Sequence, residues 1–197
     1  MAIVAGVRRQ TVSVLFVDIV GFTMLVDRLD CAEVRALQMD YFAIASALVR
    51  EHGGVVEKYV GDAVMAVFGL SSRRPEGGAA AAVRAGLEVQ EAISGVRLGG
   101  RHEVSTRAGV STGDVIVDLA AAWDGGYAMV SGGVVSMAAK LQAYAPHDTL
   151  VTCGRTRALS GDVVDYQELP PAVVGGTRPV DLFRALSSRT SVSAHVA

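Results

Sequence analysis

The sequence predicts an α+β sandwich, one mostly antiparallel sheet with helices packed on one face of it. Three observations lead there. A short β-branched run near the start precedes a long amphipathic stretch. Two brief apolar runs then flank Gly61-Asp62, and after an alanine-rich helical stretch the chain reads as short strands around one short helix. Strand, helices, hairpin, helix and strands, in that order, describe a layered fold of this class.

Val12 to Val17 is a strand by its apolar and β-branched content. Gly21 and Thr23 then open a helical stretch. Asp30 followed by Glu33 reads as an N-cap with a box-like acidic partner. Beyond them Val34, Leu37, Tyr41, Ile44, Ala45 and Leu48 recur at helical spacing, and Gly53-Gly54 ends the helix. In "GGVVEKYVGDAVMAVFG" the Gly-first connection Gly61-Asp62 suits a tight hairpin. Residues 71 to 78, SSRRPEGG, form the clearest internal loop, and a second helix runs from Ala79 toward Ile93. "TRAGVSTGDVIVDL" reads as a strand pair hinged at Gly113-Asp114. A shorter helix spans Val134 to Ala143 and stops before Pro146. Further strands are expected at Leu150 to Thr152, Val163 to Leu169 and Val180 to Ala185.

The 197 residues suit one domain, and with 51% hydrophobic and 19% charged residues a sizeable core can form. A net charge of −2 and a pI near 6.1 give no basic footprint for nucleic acid and no polybasic patch for a membrane surface. No run of apolar residues is long enough to span a bilayer, and MAIVAGVRRQ is too short in its apolar part for a signal peptide. Cys31 and Cys153 form no CxxC, so a reducing cytoplasm is the default expectation. His52, His102, His147 and His195 stand at no metal-ligand spacing from one another.

The chemistry concentrates in "SVLFVDIVGFT", where a strand that reads as buried ends on Asp18. A buried charge is costly unless paired, so Asp18 either caps a turn or holds a cation. Asp62 sits in the hairpin turn. If the strands are neighbours, the two carboxylates meet at one edge of the sheet and repel. A divalent hard cation resolves that conflict, since Mg²⁺ favours one or two carboxylates plus substrate phosphates. The backbone N–H groups of Gly21, Phe22 and Thr23, at a helix start, add a phosphate-facing element beside it. The bland alternative is that Asp18 is a turn former, Gly-Asp an ordinary hairpin connection and Lys58 a solvated strand lysine.

"FVDIVGFT" together with "EKYVGDAVMAVFG" resembles the class III nucleotidyl cyclase catalytic domain, which makes cyclic AMP or cyclic GMP. "RAGVSTGDV", "GGVVSMAAKLQ" and "GGTRPVDLFR" are weaker supporting segments, and the resemblance covers Thr11 to Arg184. It implies a ferredoxin-like homology domain over residues 11–186, with 1–10 as an extension and 187–197 as a flexible tail. Asp18 and Asp62 match the metal-binding aspartates for two Mg²⁺ or Mn²⁺ ions, with the Ile19 carbonyl as a further ligand. Lys58 matches the purine-contacting lysine of adenylate cyclases, which favours ATP over GTP. Family domains pair head to tail, so each site borrows residues from both chains.

The departures lie in the complementary half. The second base-contacting aspartate falls at Met129, the ribose-orienting asparagine at Ser136, the transition-state arginine at Lys140 and a phosphate-binding lysine at Val174. Ser136 and Lys140 are four apart and share a helix face. Lys140 keeps the charge but loses the fork that fits phosphate oxygens. The resemblance therefore implies an adenylate cyclase-like domain of low activity, a degenerate module that binds nucleotide or regulates a partner, or the metal half of a heterodimer.

Overall fold

The first strand, β1 (Val7–Ile19), is the spine of the molecule. It lies between β3 (Ala63–Phe68) and β4 (Thr106–Asp118) and pairs with β4 along its whole length, from Val7↔Asp118 to Ile19↔Thr106. The computed structural model describes residues 7–71, 75–118 and 129–189, the side chains of Pro75 and Glu76 apart. β2 (Val55–Val60) forms one edge, and β6 (Thr149–Cys153), β8 (Val180–Ser188) and β7 (Val164–Ala172) complete the order β2-β3-β1-β4-β6-β8-β7. The two-residue strand β5 (Val130–Ser131) pairs with β4, and β4 with β6 is the parallel pair in an otherwise antiparallel sheet.

Alternation along β1 divides the core in two. Leu15, Val17 and Ile19 belong to a cluster with α2 (Cys31–Glu51) and α3 (Pro75–Ile93), through Leu37, Tyr41, Ala45, Val83 and Val89. Val12, Val14 and Phe16 belong to a second cluster with Met65, Val117 and Met129, covered by α4 (Gly133–Tyr144) through Ala138, Val134 and Val135. Helices therefore lie on both faces, where the element order predicted one.

Most predicted elements are present with extended ends. The Asp30 carboxylate accepts from the N–H groups of Ala32 and Glu33, while Glu33 accepts from the Asp30 N–H, a complete capping box. β1 begins at Val7, so residues 7–10 of the expected extension are sheet, and β8 carries Ser187 and Ser188 of the expected tail. Residues 1–6 and 190–197 lie outside the described set. α3 starts at Pro75, inside the expected loop. The predicted hinge at Gly113-Asp114 does not exist; β4 runs straight through it. Its glycines serve packing instead. A Cβ on Gly109 would lie 2.2 Å from the Gln142 nitrogen and 2.5 Å from the Ala138 oxygen, so a bare backbone is what lets α4 approach. The sequence reading omits α5 (Gly154–Ser160), a seven-residue helix whose buried Thr156 bonds to Thr112 of β4.

Candidate active site

Asp18 sits one residue before the end of β1, and Asp62 follows Gly61 in the β2–β3 turn, where Gly61 takes φ +63°. Because β3 is hydrogen-bonded to β1, the turn comes back to the end of β1. The Ile19 N–H donates to Asp62 Oδ2 at 3.2 Å, and the two carboxyl groups are close enough to hydrogen-bond to each other. Burial and the neighbouring Asp18 push the Asp62 carboxyl up to about 7. The structure thus brings Asp18 and Asp62 together, and it is the Ile19 N–H, rather than the carbonyl carried over by resemblance, that meets Asp62. Among the described residues no cluster of three or more His, Cys, Asp or Glu side chains forms a metal cage. Two carboxylates meeting at a strand end form an open pair that leaves coordination positions for a substrate and water, a donor set that fits Mg²⁺ or Mn²⁺.

Three residues that sequence reading missed complete this corner. Arg107 of β4 lies directly across from Asp18 and donates from Nε and an η nitrogen to Asp18 Oδ2, at 3.1 and 2.9 Å. Gln142 of α4 donates to the same oxygen at 2.9 Å. A carboxylate only 8% exposed thereby gains three donors and a compensating charge. Behind it the buried Tyr41 hydroxyl donates to the Val17 carbonyl at 2.9 Å. Burial, then the charges of Asp18 and Asp62, hold that phenol well above its usual range. An arginine inside the apolar run "TRAGV", and a glutamine on the buried face set by Ala138 and Leu141, were the available signals. Reading them requires the β1–β4 register.

The short helix α1 (Phe22–Val26) begins beside this corner with Gly21 in the left-handed region at φ +70°. Gly21 and Thr23 are exposed and Phe22 half-buried, so the first turn of backbone is open to solvent. Lys58, on edge strand β2, keeps a side chain 44% exposed.

The complementary residues are placed less uniformly. Ser136 is exposed on α4. Lys140 donates to the Gly175 carbonyl at 2.8 Å, and its methylenes lie so close to Gly175 that a Cβ there would meet them at 2.7 Å. Met129, carried to a base-contacting position by resemblance, is 5% exposed and packed among Phe16, Met65 and Val117. It is a core residue. Val174 is likewise buried, against Leu141 and Leu182.

Fold and site together define a nucleotidyl cyclase domain. The chain belongs to the adenylate and guanylate cyclase catalytic domain family, whose model matches residues 4–177. It is 28% identical over 177 residues to adenylate cyclase 1 of Rhizobium meliloti, covering 85% of this chain and 26% of that protein. An uncharacterised Mycobacterium tuberculosis protein is 37% identical over 131 residues, 66% of this chain and 23% of its own length. The chain thus spans about a quarter of each of these curated relatives. The crystal structure of the adenylyl cyclase CyaB from P. aeruginosa superposes with a TM-score of 0.82 at 26% identity, covering 93% of this chain and 97% of that one. The guanylyl cyclase Cya2 shares the fold at TM-score 0.81 and 23% identity, over 95% and 98% of the two chains. No helix among the described residues is long and apolar enough to cross a membrane.

Proposed function

We propose that this domain converts ATP to 3′,5′-cyclic AMP and pyrophosphate, at a low rate, in a head-to-tail dimer. The observation that carries the reading is the Asp18–Asp62 pair, whose carboxyls share a corner where one of them is held protonated toward pH 7. Asp18, Asp62 and the Ile19 carbonyl would hold two divalent ions, which supply Lewis acidity at the ribose 3′ oxygen and neutralise phosphate charge. The α1 N-terminus, from Gly21 to Thr23, presents backbone N–H groups to the triphosphate. Arg107 neutralises Asp18 in the free chain, and its guanidinium is the cation best placed to turn to the phosphates. Lys58 donates to the purine of the nucleotide held by the partner's aspartates. Ser136 and Lys140 reach the ribose and the α-phosphate of the partner's nucleotide, orienting the 3′ oxygen for in-line attack on the α-phosphorus with loss of pyrophosphate. Lys140 must first leave the Gly175 carbonyl.

That last requirement favours a second reading, a degenerate domain that binds nucleotide or a partner chain without turning it over. Purified protein with ATP and Mn²⁺, compared with Asp62→Ala, separates the two. Cyclic AMP above the Asp62→Ala level supports catalysis. Mn²⁺-dependent ATP binding without product leaves the binding module, and absence of binding removes both.

A further inference from the structure

We infer that Glu57 reads the purine by accepting a hydrogen bond from its 6-amino group, an assignment that rests on the nucleotide reading above. The β2–β3 register passes from Val56↔Ala66 to Lys58↔Met65 and skips Glu57, so this residue occupies a β-bulge. Bulges re-aim side chains and recur beside active sites. Here the bulge carries the Glu57 side chain to only 4% exposure, next to a neighbour that is 44% exposed. Its Oε1 accepts from the Val130 N–H at 3.3 Å. Its Oε2 is fully buried and has no hydrogen-bond donor among the described residues. Lys58 Nζ stands 3.9 Å from it, beyond hydrogen-bond range.

A buried carboxylate oxygen without a donor is expensive, and the vacancy points to a ligand N–H. Glu57 also ties together two parts of the chain that sequence reading placed at the base, sitting next to Lys58 in sequence and bonded to Val130, the residue after Met129. Met129 supplies only an apolar wall. The acceptor that Met129 lacks is on Glu57, the residue next to Lys58.

The count of free groups selects the base. With Oε1 already accepting from Val130, Oε2 is the oxygen without a donor, beside one lysine donor. Adenine presents one donor edge, the 6-amino group, beside one acceptor, N1. Guanine presents two adjacent donors, N1–H and the 2-amino group, which suit both oxygens of a carboxylate. Oε1 already accepts from Val130, so guanine would have to share it, whereas adenine needs Oε2 alone. The base reaches Oε2 from the Lys58 side, where the flexible lysine stem turns aside and its ammonium meets N1.

The test is equilibrium binding of ATP, ITP and purine riboside triphosphate with Mn²⁺, to the intact chain and to Glu57→Gln. The wild type should hold ATP about tenfold or more tighter than purine riboside triphosphate, which lacks the 6-amino group. Glu57→Gln keeps an amide oxygen for Val130 and turns its NH₂ to the base, so it should hold ITP better than ATP. A Glu57 that only pins β5 to β2 would weaken all three ligands together and leave their ratios unchanged. That result overturns the assignment, as does a wild type that binds ATP and purine riboside triphosphate equally. The wild-type ratio decides even if Glu57→Gln fails to fold. A wild type that binds none of the three overturns the nucleotide reading itself, and this one with it.

Discussion

At Asp62 two forces act in the same direction: burial strips water from the carboxylate, and Asp18 adds its charge nearby. The folded value near 7 lies above the ordinary 3.8, so the protonated form stabilises the metal-free protein fully below 3.8, and that stabilisation is lost as pH rises through about 7. Melting with a chelator should therefore show falling stability from about pH 5 to pH 8. Mn²⁺ should reverse the trend, binding more tightly as pH rises and releasing a proton near neutrality. Calorimetry in two buffers of different ionisation enthalpy measures that proton, and Mn²⁺ affinity that is flat from about pH 6 to pH 8 would exclude Asp62 as a ligand. Across the site, Ser136→Asn with Lys140→Arg should restore ribose orientation and a two-pronged contact to the developing charge. A preorganised stabiliser is worth about a hundredfold in rate, so the double variant should make at least about tenfold more cyclic AMP than wild type. Product no higher than in Asp62→Ala would end the catalytic reading.

At the scale of elements, α4 matters most, because it carries Ser136 and Lys140 outward and Gln142 inward to Asp18. Its seat is Gly109. Gly109→Ala drives a methyl into α4 backbone and should cost about 3 kcal/mol or more, whereas Gly113→Ala meets side-chain atoms alone, a Val134 methyl and the Arg155 guanidinium, and should cost less; urea unfolding measures both. Asp30→Ala removes the α2 cap and should cost about 1 kcal/mol without altering Mn²⁺ affinity. These elements mark where sequence reading works. The α2 cap, the Gly61-Asp62 turn and the Asp18 strand end are local signals, written in adjacent residues, and all stand as read. Gly113 was misread as a hinge glycine because its reason, like that of Gly109, is a helix more than twenty residues later. Arg107, Gln142 and Glu57 were missed because each acquires meaning only through register, helix face or a bulge. Met129 and Val174 were carried to family positions by resemblance, and packing makes both core residues.

At the scale of the whole molecule, the proposed division of labour between chains makes a sharp test. If Asp18 and Asp62 act with the partner's Lys140, neither Asp62→Ala nor Lys140→Ala alone can form an intact site in a homodimer. Mixed, they form heterodimers with one intact site, and activity should return to about a quarter of wild type when the chains pair at random. No recovery, in a mixture shown to exchange subunits by sedimentation, would place the whole site within one chain. The long β1–β4 pairing has a separate consequence, for how the protein comes to be folded. Its partners, Val7↔Asp118 through Ile19↔Thr106, are far apart in the chain, and closing such a loop must precede any reward from the contacts it makes. The Asp18–Arg107 pair exists only after that closure. Helices α2 and α3 can gain structure from local contacts long before. In refolding from urea, helical circular dichroism should recover first and Mn²⁺ binding last, so a nascent chain acquires the Asp18–Arg107 corner only once residues past Asp118 have left the ribosome.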